Sequence, residues 1–155
     1  MSTPPPLVLD FTQPARDVLL AQINHDNATM ITPDQIRVGY VGALGPTDPS
    51  GRNTTAHVTA AQGANLEGAG YFNYDRIDIG TVPGARSTLF TVVARRKLSD
   101  LLPEINARFS LNLTRADIID ARLPAVASGQ TRNVSLLMSA RALLWTGSLV
   151  LTLTR

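Results

Sequence analysis

The feature that most constrains this chain is a repeat of its own apolar and capping pattern, 82 positions apart. At that offset Leu19, Leu20, Ile23, Asn24, Thr32 and Ile36 fall on Leu101, Leu102, Ile105, Asn106, Thr114 and Ile118. Gln22 meets Glu104, Ile31 meets Leu113 and, upstream, Leu7 meets Leu89. The matches sit at structural punctuation, where a duplicated element keeps its identity longest. The chain is therefore expected to use one local design twice.

Each copy reads in the same order. An apolar run fit for a strand comes first: Leu7, Leu9 and Phe11 in one copy, "TLFTVVA" in the other. A helix follows, with Pro14 in its first turn and a stripe of Ala15, Leu19 and Ile23. In the second copy the stripe is Leu98, Leu101, Leu102, Ile105 and Phe109. Pro103 requires that this helix start near Asp100, because a proline deeper inside would remove a backbone hydrogen bond. Asn24 and Asn106 mark the helix ends, where asparagine tolerates the left-handed conformation or bonds loop amides.

A capping-box pattern then launches a strand at Ile36 or Ile118: Thr32 with Gln35, and Thr114 with Asp117. Asp117 is the looser match but is favourable in a first turn. "TTAHVTA" and "YFNYDRIDI" complete the first copy, "NVSLLMSA" and "LWTGSLVLTL" the second. The expected fold class is α+β, two pseudo-symmetric β-α-β-β-β units forming one compact domain with antiparallel sheet. An extended arm covers residues 1–6, the first unit 7–79, a linker 80–88 and the second unit 89–155.

Composition limits what such a chain does. With 155 residues, 44% of them hydrophobic, it can build one compact core or two joined lobes. Cysteine is absent, which excludes disulfides and thiolate metal sites. The start "MSTPPPLVLDF" lacks the pattern of a secretory leader. The longest apolar run, "ALLWTGSLVLTL", is about half the length of a membrane helix. A soluble protein without membrane partners is expected. The pI of 9.5 invites a nucleic-acid reading, yet the formal charge is only +2. Lys97 is the only lysine, and "RRK" (Arg95, Arg96, Lys97) the only basic cluster. Phosphate backbones call for concentrated positive charge, so nucleic acid is disfavoured and the triplet reads as a solvated junction. Arginine in preference to lysine suits bidentate contacts at protein interfaces.

No reactive constellation emerges. Placing "INHDNATMITPDQI" on a calcium loop puts Asn24, Asp26, Ala28 and Gln35 at ligand positions and Thr29 where glycine belongs. The second copy puts Asn106, Arg108, Ser110 and Asp117 at the ligand positions and Leu111 in place of the glycine, so both copies lose the glycine and most of the negative charge. His25 and His57 are the only histidines, and neither a G-x-S-x-G nor a phosphate-binding glycine loop occurs. Asp75, Arg76 and Asp78 read more simply as cross-strand charges than as acid–base machinery. The expectation is therefore a non-enzyme with no catalytic residues, no metal and no cofactor. Two alternatives are a carbohydrate-binding or adhesive module, which predicts exposed aromatics around Tyr71, Tyr74 or Trp145, and a small hydrolase, which predicts a cleft where His57 or Asp75 meets a nucleophile.

The ordered set "LLAQIN", "ITPDQIRVG", "GRNTTAHVTA", "YFNYDRIDI", "LLPEIN", "LTRADIID" and a closing "GSLVLTL" resembles small virion structural proteins of large tailed bacteriophages. The resemblance spans nearly the whole chain after residue 15. It implies a head-decoration, neck or tail component that works by assembly, with other virion proteins and copies of itself as partners, located in the virion. The candidate contact elements are the proline-rich arm with Pro4, Pro5 and Pro6, and the loop "ALGPTDPSGRN" with Pro46, Pro49 and Arg52. A proline-rich arm loses little entropy on docking, because its backbone is already restricted.

Overall fold

The structure, a computed structural model, describes residues 6–155. Pro4 and Pro5 of the expected arm lie outside the described residues. The fold is mixed α+β, with two α-helices and eight strands among the described residues. It divides into two compact units, one ending at Tyr74 and the other spanning Asp75–Arg155. The division falls ahead of Ile79, the expected end of the first repeat, so the anticipated linker 80–88 belongs to the second unit.

In the first unit, α1 (Ala15–Asn27) buries Val18, Leu19, Leu20 and Ile23 on one side. Pro14 stands at its N-cap, where a missing N–H costs nothing. A 3-10 turn at Pro33–Gln35 leads into β1 (Ile36–Ala43), which pairs antiparallel with β2 (Thr54–Ala60). β2 in turn pairs antiparallel with β3 (Ala69–Tyr74). The order β1-β2-β3 makes a plain meander, with a register shift between Val38 and Val41.

No strand forms over Leu7–Phe11, contrary to the sequence expectation. The alternation is present, but the local hydrogen bonds go elsewhere. The Asp10 carboxylate accepts from the Thr12 amide at 3.0 Å and from its hydroxyl at 2.6 Å, and Gln13 N donates to the Asp10 carbonyl at 3.2 Å. This Asx turn bends the chain towards the helix start and ends any extended run.

The second unit holds a larger core and a mixed sheet. β5 (Leu89–Thr91) pairs parallel with β8 (Ser148–Thr154), and β6 (Thr131–Leu137) pairs antiparallel with β8 on its other side. The antiparallel pairing that the sequence predicts is present, and the β5–β8 pair adds a parallel one. α2 (Leu102–Phe109) covers one face: the Phe109 ring meets Phe90 edge-on with centroids 6.3 Å apart. A 3-10 turn over Leu98–Leu101 precedes α2, so Pro103 lies in the first helical turn, where it is tolerated.

Two segments read as single strands are each broken in two. "YFNYDRIDI" yields β3 and then β4 (Ile77–Asp78), which pairs parallel with β7 (Trp145–Thr146). Arg76 causes the break: it is buried, and its Nη1 donates to the carbonyls of Ala140 at 3.1 Å and Ala142 at 3.2 Å. "LWTGSLVLTL" is divided by Gly147, whose φ of 78° a side chain would resist. A Cβ there would also collide with the Asp78 carboxylate.

Candidate interaction surfaces

The predicted helix-end loops close in the same way twice. Asn24 donates from Nδ2 to the Ile31 carbonyl at 2.8 Å and accepts at Oδ1 from the Ile31 amide at 2.9 Å. Asn106 does the same with Leu113, at 2.9 Å in both directions. The left-handed position is taken not by the asparagines but by Ala28 and Ser110, at φ 52° and 57°. Thr29 N and Leu111 N then reach back to the Asn24 and Asn106 carbonyls, each at 3.0 Å. Each asparagine thus clamps a loop at its amide and its carbonyl, satisfying groups that a half-buried turn would otherwise strand.

The capping residues also stand in corresponding places. Gln35 Oε1 accepts from the Thr32 amide at 2.9 Å, and Asp117 Oδ2 from the Thr114 amide at 2.8 Å. The forward half of each box is loose. The threonine oxygen faces the third-residue amide without a full cap bond. Thr32 instead donates its hydroxyl to Asp34, and Thr114 to Asp117. Asp117, the poorer match by sequence, is the more buried and accepts two bonds from Thr114.

Of the expected contact elements, Pro6, Pro46, Pro49 and Arg52 are exposed. The loop carrying the last three is tied at its neck by Leu44 N donating to the Asn53 carbonyl at 2.8 Å. Asp48 organises its tip by accepting from the Ser50 amide at 2.9 Å, and bonds from Ser50 hold the Asp48 carboxyl below its ordinary range. Among the aromatics, Trp145 and Tyr74 are buried, and only Tyr71 of the three presents its ring outward, beside His57 at 5.0 Å. Among the described residues no group of three or more His, Cys, Asp or Glu could hold a metal ion. No helix among them is long and apolar enough to cross a membrane.

Two surfaces of the second unit were not singled out by sequence. The first is the sheet face opposite α2. Alternation along β8 buries Leu149, Leu151 and Leu153 and turns Val150 outward, where it pairs with Ser135. Leu137 stands outward opposite Ser148, and Leu89 opposite Thr152. Ile119, whose amide bonds the Leu137 carbonyl at 2.9 Å, extends the patch. These four aliphatic side chains are 45–54% exposed, and their neighbours Thr131, Asn133, Ser135, Thr152 and Thr154 carry no charge.

The second surface is a groove of about 650 Å³ between the turn at Val92–Lys97 and the segment Arg122–Val126, with Arg155 at its rim. Backbone bonds from Leu98 N to the Ala121 carbonyl (2.9 Å) and from Leu123 N to the Arg96 carbonyl (2.8 Å) set Lys97 directly opposite Arg122. No acidic residue lines it. The nearby carboxylates are engaged elsewhere. Glu104 pairs with Arg95 at 2.8 Å and Arg108 at 2.7 Å, and Asp100 accepts from the amides of Arg96 and Lys97. Asp120 accepts from the Ser99 amide and hydroxyl and pairs with Arg115 at 3.1 Å.

One sequence family matches residues 9–155: a family of unknown function, DUF7941. The chain belongs to that family. No curated protein and no solved structure matches it. The matched span of this DUF7941 member takes in both asparagine clamps, the uncharged sheet face and the groove, and begins beyond Pro6. What the DUF7941 match recognises thus lies in the two folded units and not in the proline-rich arm. Only "RRK" was a sequence signal for the groove. Arg122 and Arg155 are too distant in the chain for composition to associate with it.

Proposed function

We propose that this chain is a non-enzymatic structural component of a tailed-bacteriophage virion, working by protein–protein assembly as a head-decoration, neck or tail protein. The observation that carries the assembly reading is the outer sheet face of the second unit. Leu89, Ile119, Leu137 and Val150 share it at 45–54% exposure, with uncharged neighbours. Contiguous exposed apolar surface of this kind favours burial against another protein. The phage setting is supported by the sequence resemblance alone.

The same reading treats the two units as copies of one element. The clamps, left-handed residues and return bonds all recur at the offset of 82. One pairing after each box has a counterpart, although no strand forms at Ile118: Ile36 stands opposite Ala60 in a strand pair, and Ile118 opposite Met138 in a single bridge. Ala61 N donates to the Gln35 carbonyl as Ser139 N donates to the Asp117 carbonyl, both at 2.8 Å.

The test is localisation in purified particles. Mass spectrometry of virions should find the chain in stoichiometric amount, and Val150→Lys should deplete it from particles while leaving the isolated protein folded. Deleting residues 1–6 should weaken incorporation without unfolding the domain. Absence of the wild-type chain from particles would remove the virion reading. Normal incorporation of Val150→Lys would remove the sheet face from it.

A further inference from the structure

We infer that the groove between Val92–Lys97 and Arg122–Val126 binds an extended acidic segment of a partner protein, with carboxylates on the cations and aliphatic side chains on the floor. The first observation is the charge. Arg96, Lys97 and Arg122 are exposed. Arg96 and Arg122 have no ion-pair partner among the described residues. Arg155 lines the groove as a further cation, but the inference rests on the other three. Lys97 does act on Asp100 and Asp120, helping to hold both carboxyls low, but behind bonds from backbone amides. Those acids are therefore structural partners of the turn and not occupants of the groove.

The second observation is that the like charges are held together by the backbone. Two inter-segment hydrogen bonds fix Lys97 opposite Arg122, an arrangement that destabilises a paired ladder when nothing lies between. The turn beside them is also held in an unusual conformation. Arg95 N closes it onto the Val92 carbonyl at 3.1 Å, and Ala94 sits at φ 60°, where a non-glycine residue is strained. A bound anion would relieve the repulsion, and the fixed backbone would spare it the cost of ordering the site.

The third observation selects the class of ligand. Apart from its cations the groove is lined by apolar residues, Val92, Val93, Leu123, Pro124 and Val126 among them. No aromatic ring is present to stack a base, as single-stranded nucleic acid sites require. Three excess charges also fall short of the footprint of a duplex binder. Guanidinium groups match carboxylates in bidentate geometry, and an aliphatic floor takes the alternate side chains of an extended peptide. This inference does not depend on the phage setting.

Fluorescence anisotropy on the full chain tests it, with a labelled peptide of alternating Glu and Val and a single-stranded oligonucleotide of equal charge. The peptide should bind, weaken as salt is raised, and outcompete the oligonucleotide. The double variant Lys97→Gln/Arg122→Gln should lose about tenfold or more in affinity, with its thermal midpoint held or raised because the like-charge repulsion is gone. Arg96→Gln, which leaves the Lys97–Arg122 ladder intact, should also weaken binding and serves if the double variant does not fold. No peptide binding, equal binding by the variants, or tighter binding of the oligonucleotide would each overturn the inference.

Discussion

Asn106 holds Leu113 by both of its backbone polar groups, receiving the amide proton on Oδ1 and giving an Nδ2 proton to the carbonyl. The link spans seven residues across the end of α2, where helix geometry leaves groups unpaired. Replacing Asn106 by Ala removes both bonds from a part-buried site and should lower stability by about 2 kcal/mol. Urea unfolding measures this. A change below about 0.5 kcal/mol, the range of an ordinary surface substitution, would show that water replaces the clamp at no cost.

The boxes that follow the clamps predict an unequal pair of mutants. Asp117 is buried and accepts from the Thr114 amide and hydroxyl, so Asp117→Ala strands an amide and should cost about 2 kcal/mol. Thr32 bonds only the exposed Asp34 carboxylate with its hydroxyl, so Thr32→Ala should cost well under about 1 kcal/mol. Thermal melts of the two variants decide. Equal losses would mean that the threonine oxygen caps after all.

Acid should weaken the second unit through two carboxyls beside the groove. Backbone bonds from Arg96 and Lys97 lower the Asp100 carboxyl from 3.8. A bond from the Ser99 amide, with lesser help from Arg115 and Lys97, lowers that of Asp120. A group depressed on folding contributes stability that is fully present above its unfolded value and is lost as pH falls through its folded value. The loss should therefore appear below about pH 4. In a denaturant midpoint series from pH 6 to pH 2, Asp100→Asn and Asp120→Asn should flatten the acid limb. An acid limb as steep as that of the wild type would place the sensitive groups elsewhere.

Ala28 ends α1 at φ 52°, a conformation that costs an L-residue about 1–2 kcal/mol. Glycine avoids that strain but loses about 0.5–1 kcal/mol of unfolded-chain entropy. Ala28→Gly should thus stabilise the protein by about 0.5 kcal/mol, read as a higher urea midpoint. A lower midpoint would indicate that the alanine methyl makes a contact worth more than the strain.

Signals confined to a few residues were legible in the sequence, and long-range ones were not. The clamps and boxes depend on side chains three to seven positions from their partners, so the offset of 82 exposed both. β2 matched "TTAHVTA" because its alternation is uninterrupted. Leu7, Leu9 and Phe11 alternate equally well, but the Asp10 turn was stronger locally. The break at Arg76 depends on carbonyls at Ala140 and Ala142, and no local pattern announces such a partner. The groove follows the same rule, because Lys97 and Arg122 meet only through the backbone pairing of their two segments.

The strand order of the second sheet also determines when that unit can be completed during synthesis. β8 lies between β5 and β6, yet it is the last of the described strands to be translated. Until it arrives, Phe90 and Leu136 have no central strand between them, and the Arg76 guanidinium waits for acceptors encoded just upstream. The first meander, by contrast, is built from strands in sequence order and can close while the remainder is still being translated. A ribosome carrying this chain therefore holds a finished half beside an apolar, unassembled one. The interval between them is when a chaperone or a wrong neighbour has its opportunity.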